Sequence, residues 1–137
     1  MIKFGTSGFR GIMGDTFTKE NVQKVAFAIN NVIKTEKIRK NKIIIGYDNR
    51  FMSLDYAKWI AEVLAVNLKV EIYEFPVPTP LICHRAKNVG LGVVLTASHN
   101  PYNYNGIKIF DSNGFKLNKN IVILITMFFS KNWRFNV

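Results

Sequence analysis

Ser98 and its neighbours are the residues of this chain best placed to do chemistry. They lie in Thr96-Ala97-Ser98-His99-Asn100-Pro101, followed by Tyr102-Asn103-Tyr104-Asn105-Gly106-Ile107-Lys108. A serine hydroxyl is a weak nucleophile until its neighbours activate it. His99 and Lys108 are the nearby candidates to move a proton or to neutralise phosphate charge. The apolar run Leu91 to Leu95 reads as a buried strand leading into this stretch, and Asn100-Pro101 breaks regular structure just after it. Ser98 is therefore expected on a loop at the end of a strand, where open α/β folds place their ligands.

A second candidate stretch is glycine-punctuated: Gly5, Gly8, Gly11 and Gly14 mark a loop that follows the strand candidate Ile2-Lys3-Phe4. Glycines let backbone N–H groups approach an anion closely, and Thr6, Ser7 and Arg10 add side-chain donors. The spacing fits neither a dinucleotide fingerprint nor a P-loop, which would end in Gly-Lys-Ser/Thr. Cys83, His84 and His99 are too few to make a metal site.

The elements that must position these residues follow from periodicity. Val22, Val25, Ala26, Ile29, Val32 and Ile33 repeat at helical spacing behind the N-cap candidate Thr18, predicting a helix from about Lys19 to Lys34. Ile43-Ile44-Ile45 suits a strand buried on both faces and runs into Gly46-Tyr47-Asp48-Asn49-Arg50, where Arg50 is expected to be structural. Ser53 reads as the cap of a second helix whose apolar face is Ala57, Ile60, Ala61, Leu64 and Leu68, with Trp59 packing on a neighbour. Lys69 to Phe75 alternates like a strand with one wetter face. Pro76, Pro78 and Pro80 force an extended turn, and Thr79-Pro80 opens a short helix that Gly90 stops. After the Ser98 loop, Asn113-Gly114 between apolar runs signals a hairpin that would fix Lys108 on a strand.

The pattern is β-α-β-α-β-α-β plus a β-hairpin arm, so the fold class expected is α/β. Right-handed crossovers would put helices on both faces of the sheet. They would also gather the Gly5–Gly11, Asp48–Arg50 and Ser98 loops at one edge.

The chain of 137 residues, 48% apolar, fits one domain with a single core. Cys83 alone excludes an internal disulfide and suits a reducing cytosol. With no apolar stretch behind a basic start, no signal peptide is expected, and a cytoplasmic location follows. The longest apolar run, Ile121 to Phe129, is too short to span a bilayer, so no membrane partner is expected. Net charge is +10, from 19 Lys+Arg against 9 Asp+Glu. Lys116, Lys119, Lys131 and Arg134 follow the last acid, Asp111, and without them the excess is modest and spread out. That weakens a nucleic-acid reading.

Four ordered stretches together resemble one family: Gly5-Thr6-Ser7-Gly8-Phe9-Arg10-Gly11, Gly46-Tyr47-Asp48-Asn49-Arg50, Pro76-Val77-Pro78-Thr79-Pro80, and Thr96–Pro101 with Gly106-Ile107-Lys108. They are similar to the α-D-phosphohexomutases, the phosphoglucomutase/phosphomannomutase family, over roughly residues 2 to 117. The resemblance implies a three-layer α/β/α sandwich with a mixed four-stranded sheet plus the β-hairpin arm. The resemblance implies that Ser98 carries a phosphoryl group, passing it to one end of a hexose phosphate and recovering it from the other. Hexose 1-phosphate and hexose 6-phosphate then interconvert through a bisphosphate. It implies a catalytic set of Ser98, His99 and Lys108, with Lys108 ahead of His99 for proton transfer. Thr6, Ser7, Arg10 and Asn100 would hold phosphate or substrate. It implies Mg2+, reached from this domain only through the phosphate on Ser98, and glucose 1,6-bisphosphate as activator.

The resemblance covers only the family's first domain. The magnesium loop, the sugar-reading stretch and the distal phosphate loop belong to later domains, so little turnover is expected from this chain alone. Residues 118–137 contain no acid where the family carries an amphipathic helix with acidic residues. They are expected to be an atypical tail beyond a domain of residues 1–117, arising by truncation or a reading-frame change, and its apolar residues could drive self-association. A serine hydrolase would need a Gly-x-Ser-x-Gly elbow, absent around Ser98. A non-catalytic phosphate- or nucleic-acid-binding module is the remaining alternative.

Overall fold

The structure, a computed structural model, describes residues 8–35 and 42–130, the side chains of 35 and 128–130 excepted. Its elements are β1 (Phe9–Ile12), α1 (Lys19–Thr35), β2 (Lys42–Tyr47), α2 (Ser53–Leu64), β3 (Lys69–Ile72), α3 (Thr79–Val89), β4 (Gly90–Leu95), β5 (Tyr104–Phe110) and α4 (Lys119–Ser130). Helix α1 begins as its sequence suggests, with Thr18 Oγ1 accepting the Asn21 amide at 3.1 Å. The strand candidate Ile2-Lys3-Phe4 lies outside the described residues.

The sheet runs β1-β5-β4-β2-β3. Strands β3, β2 and β4 are mutually parallel, whereas β5 is antiparallel to both β4 and β1. The α/β/α class and the mixed sheet are as expected, but the sheet has five strands rather than four, and two parts of the strand inventory account for the difference. The Gly5–Gly11 stretch is not wholly a loop: Phe9–Ile12 is an edge strand, registered Arg10 to Gly106. The hairpin arm is nearly absent, because β5 lies within the sheet and its return segment makes only an isolated bridge between Phe110 and Lys116. Asp111 Oδ1 accepts the amides of Asn113 and Phe115 at 2.9 and 3.1 Å, an Asx turn that diverts the Phe115 amide from a strand ladder.

Alternation along the strands sorts the core onto two faces. Ile43, Ile45, Val93, Leu95, Ile107 and Ile109 pack with α1, α2 and α4. Ile44, Val94 and Phe110 pack with Ile82 and Ala86 of α3 on the other face. Helix α3 sits close because β2 and β4 present Gly46 and Gly92 there: a Cβ on Gly92 would stand 2.9 Å from Ile82 Cγ2. On the opposite face an aromatic series, Phe9–Phe17–Tyr56–Trp59, stacks edge to face, and Tyr56 donates to the Phe17 carbonyl at 2.8 Å. Helix α4, from the acid-free tail, packs through the buried Val122 and Ile125, while Ile123 and Met127 stay exposed. Among the described residues, no helix is long and apolar enough to cross a membrane.

The two crossovers run in opposite directions about β2: α2 leads from β2 to β3 on one side of it, and α3 leads from β3 back to β4 on the other, the helices lying on opposite faces of the sheet. The crevice between the carboxyl ends of β2 and β4 is therefore a topological switch point. The Asp48 amide donates to the Leu95 carbonyl at 3.1 Å, tying the two strand ends together there.

Candidate active site

Strand β4 is buried along its whole length, and the burial continues through Thr96 and Ala97. Ser98 then turns outward into solvent with φ 52, a left-handed backbone that costs a serine about 1–3 kcal/mol. Thr96 Oγ1 accepts the Ser98 amide at 3.1 Å, and the Ala97 carbonyl accepts the Asn100 amide at 3.0 Å. These bonds close the turn locally.

Arg50 holds the loop from outside. Its guanidinium donates to four backbone carbonyls: Pro101 at 2.6 Å, Tyr104 at 3.1 Å, Ser98 at 2.9 Å and Asn100 at 2.6 Å. Asp48 sets the Arg50 backbone by accepting its amide at 3.0 Å, and its second oxygen lies 3.6 Å from Arg50 Nε. The expectation that Arg50 is structural agrees with this geometry.

Lys108 stands on β5 opposite Val94, on the α3 face of the sheet. Its ammonium donates to Ser98 Oγ at 2.6 Å. Burial, the nearby Arg10 guanidinium and, less strongly, Lys116 hold its pKa below the ordinary lysine range. Arg10 reaches the same place from the edge strand. Its stem crosses Gly106, where a Cβ would stand 2.9 Å from Arg10 Cγ and 2.6 Å from the Thr96 carbonyl oxygen. The Arg10 guanidinium donates to Asn100 Oδ1 at 3.0 Å. Ser98, Lys108, Arg10 and Asn100 thus converge. His99 is exposed and makes no hydrogen bond among the described residues. Thr6 and Ser7 lie outside the described residues.

Sequence reasoning missed a buried support beneath the loop. Ser53, read as a helix cap, is 1% exposed and donates to Asp48 Oδ1 at 2.8 Å. Asn105 is fully buried, donates to Ser53 Oγ at 2.9 Å and accepts the Gly106 amide at 2.8 Å. The strand that carries Lys108 is thereby bonded to the loop that carries Arg50. The signal was available: Asn105 shares the parity of Ile107 and Ile109, so a polar residue occupies a core-facing position.

A divalent cation does not fit these residues alone. One hydroxyl stands among Lys108 and Arg10, and no group of three His, Cys, Asp or Glu able to hold a metal occurs among the described residues. Any carboxylate set for magnesium has to come from outside them.

The fold and the site together describe an α/β/α domain that presents a serine at a switch point amid cations. The family description that matches is Phosphoglucomutase/phosphomannomutase, alpha/beta/alpha domain I, over residues 1–133. The chain belongs to that family. It is 40% identical over 122 residues to a phosphoglucosamine mutase of Dictyoglomus thermophilum, covering 86% of this chain and 26% of that protein. A phosphoglucosamine mutase of Clostridium botulinum is 39% identical over 117 residues, covering 83% and 26%. The chain therefore spans about a quarter of the length of these curated relatives. Among solved structures, a Thermus thermophilus protein whose assignment as a phosphomannomutase is itself provisional superposes with TM-score 0.86 at 32% identity, over 93% of this chain and 29% of that one. Parafusin, a phosphoglucomutase of Paramecium, shares the fold with TM-score 0.82 at 24% identity, over 94% and 25%.

Proposed function

We propose that this chain is the phosphoserine-bearing domain of a phosphohexomutase, with Ser98 as the phosphoryl carrier. The observation that carries the reading is the 2.6 Å contact from Lys108 Nζ to Ser98 Oγ at the switch point. Phosphorylated Ser98 gives its phosphoryl group to a sugar hydroxyl. The O–P bond to Ser98 breaks as the bond to the sugar oxygen forms; the Lys108 ammonium gives a proton to the departing Ser98 Oγ and takes up the one that the sugar hydroxyl gives up. In reverse, the Ser98 hydroxyl takes a phosphoryl group from the other end of the resulting bisphosphate as the sugar O–P bond there breaks; Ser98 yields its proton toward Lys108 Nζ, which returns a proton to the released sugar oxygen. Acceptance needs neutral Lys108, which its lowered pKa favours. Arg10 and Asn100 border the phosphate, and the family resemblance assigns Thr6 and Ser7 to phosphate or substrate binding as well. A phosphoserine of nearly two negative charges is stabilised by Arg10 and Lys108. His99, exposed beside Ser98, is the lesser candidate for proton transfer.

The substrate is a hexose phosphate, with glucose 1,6-bisphosphate as activator. The names of the two curated relatives favour glucosamine phosphates as the first substrates to try. The lone cysteine supports a cytoplasmic setting. Residues 1–137 alone are expected to turn over little, because positioning a sugar between two phosphate sites needs a closed cleft. The acid-free segment 118–137 is read as a departure from the family pattern, and its exposed Ile123 and Met127 are the residues through which self-association would run. A coupled mutase assay with magnesium and a trace of the bisphosphate, on the chain and on Ser98→Ala, tests the reading. Near-zero turnover, or turnover lost in Ser98→Ala, agrees with it. Turnover that survives Ser98→Ala refutes it.

A further inference from the structure

Strands β4 and β5 separate at Thr96 and Gly106, one step past the last registered pair, Leu95 with Ile107. Opposed residues of an antiparallel ladder either exchange two hydrogen bonds or make none. This pair is split. The Thr96 amide donates to the Gly106 carbonyl at 2.8 Å, whereas the buried Gly106 amide donates to Asn105 Oδ1, at 2.8 Å, in place of the Thr96 carbonyl. That carbonyl lies over Gly106 instead, 2.6 Å from where a Cβ would stand. Two residues on, Ser98 turns left-handed and its Oγ meets Lys108. Asparagine suits the place chemically. The Gly106 amide can only donate and the Asp48 carboxylate can only accept, so the bonds between them run one way. The Gly106 amide donates to the fully buried Asn105, Asn105 Nδ2 to Ser53 Oγ at 2.9 Å, and Ser53 Oγ to Asp48 Oδ1 at 2.8 Å. A carboxamide supplies the acceptor and the donor together. Asp48 also accepts the Arg50 amide, and the Arg50 guanidinium closes the circuit on the Ser98 carbonyl at 2.9 Å.

We infer that Asn105 is a positioning residue for Ser98: by taking the Gly106 amide it ends the β4–β5 ladder at Thr96, and so releases the next residues to turn the Ser98 hydroxyl onto Lys108. Without that oxygen the Gly106 amide is left buried and unmet, which is costly. The Thr96 carbonyl, its ordinary ladder partner, is the replacement at hand. Completing that pair extends β4 and draws Ser98 away from the Lys108 ammonium. The consequence for phosphoryl transfer rests on the proposed function, whereas the placing of Ser98 stands without it.

The test begins on the wild-type chain, with NMR couplings measured across hydrogen bonds. The Gly106 amide nitrogen is expected to couple to the side-chain carbonyl carbon of Asn105. Coupling to the Thr96 carbonyl carbon overturns the inference before any variant is made, so the test survives a variant that fails to fold. Asn105→Ala is expected to move the coupling to Thr96. Asn105→Asp keeps an oxygen for the amide and should leave the Thr96 coupling absent. The contact with Lys108 is read from the pH at which Lys108 reacts with acetic anhydride. Ser98 Oγ accepts from the Lys108 ammonium and favours its charged form, so Ser98→Ala lowers that pH when Asn105 is intact. The lowering should be lost in Asn105→Ala and kept in Asn105→Asp, with Arg10 and Lys116 present throughout. An Asn105 that merely supports the fold would weaken both variants to urea yet leave the effect of Ser98 on Lys108 intact, and that result overturns the inference. None of these measurements reads turnover, so their failure leaves the role of Ser98 as carrier to its own assay.

Discussion

Removing the Arg50 guanidinium should loosen the Ser98 loop more than the sheet beneath it. Two of its four carbonyl bonds, to Tyr104 and Asn100, are partly buried, and the other two are exposed. Water replaces the exposed pair at small cost. The buried pair, each from a charged donor, contributes about 1.5 kcal/mol at the low end, or about 3 kcal/mol together. Freed of the clamp, Ser98 can leave its left-handed backbone and recover about 1 kcal/mol. The net loss in Arg50→Ala is about 2 kcal/mol, a roughly 30-fold rise in the opening equilibrium of the loop. Hydrogen exchange reads it directly, because the Asn100 and Tyr104 amides are bonded within the loop, to Ala97 and Pro101. Both should exchange roughly 30-fold faster. Arg50→Lys should fall in between, since an ammonium has three donors and no planar fork. Exchange at these amides within about twofold of wild type would refute the clamp.

Other expectations concern the support, the core and charge. Ser53→Ala leaves Asp48 and the buried Asn105 each short of a partner and should cost about 1–3 kcal/mol in urea unfolding; a change below the error of the midpoint counts against the relay. Gly92→Ala forces Ile82 to move and should cost about 1–3 kcal/mol by the same measurement. Lys108 should react with acetic anhydride at a lower pH than the protein's lysines on average, and Arg10→Ala should narrow that gap. Because its folded pKa is lowered, the folded state holds fewer protons than the unfolded state between the two values. Stability from this group therefore rises as pH climbs through that window. Glu71, bonded to Lys42 and Arg85, has its pKa lowered, chiefly by Lys42. Its contribution is present above the unfolded value and lost as pH falls through the folded one. Glu71→Gln should flatten the acid limb of the stability curve slightly, since the pair is solvent-exposed.

Much of this was legible in the chain. Helix α1 lies where a 3.6-residue apolar period and Thr18 put it, and β2 and β4 follow from short buried runs. Lys108 was expected on a strand, and its alternation with Ile107 and Ile109 sends it to the face opposite theirs. Strand β1 was hidden because Phe9–Ile12 is four residues long and contains Gly11. Its register comes from pairing with β5, nearly a hundred residues away. The hairpin misled because Asn113-Gly114 does make its turn, but the side chain of Asp111 then takes the amide that a returning strand would use. Ser53 carried two meanings: a helix start and an inward-facing hydroxyl. Only the partner strand bearing Asn105 decides between them.

The role of Ser98 is tested most directly in a chimera. Residues 1–133 of this chain would replace the matching first domain of the Dictyoglomus thermophilum phosphoglucosamine mutase. Mutase turnover would be compared between that chimera and its Ser98→Ala form. The account predicts activity in the first and a loss of at least about a thousandfold in the second, as expected when a covalent carrier is removed. Equal turnover with and without the Ser98 hydroxyl would contradict it.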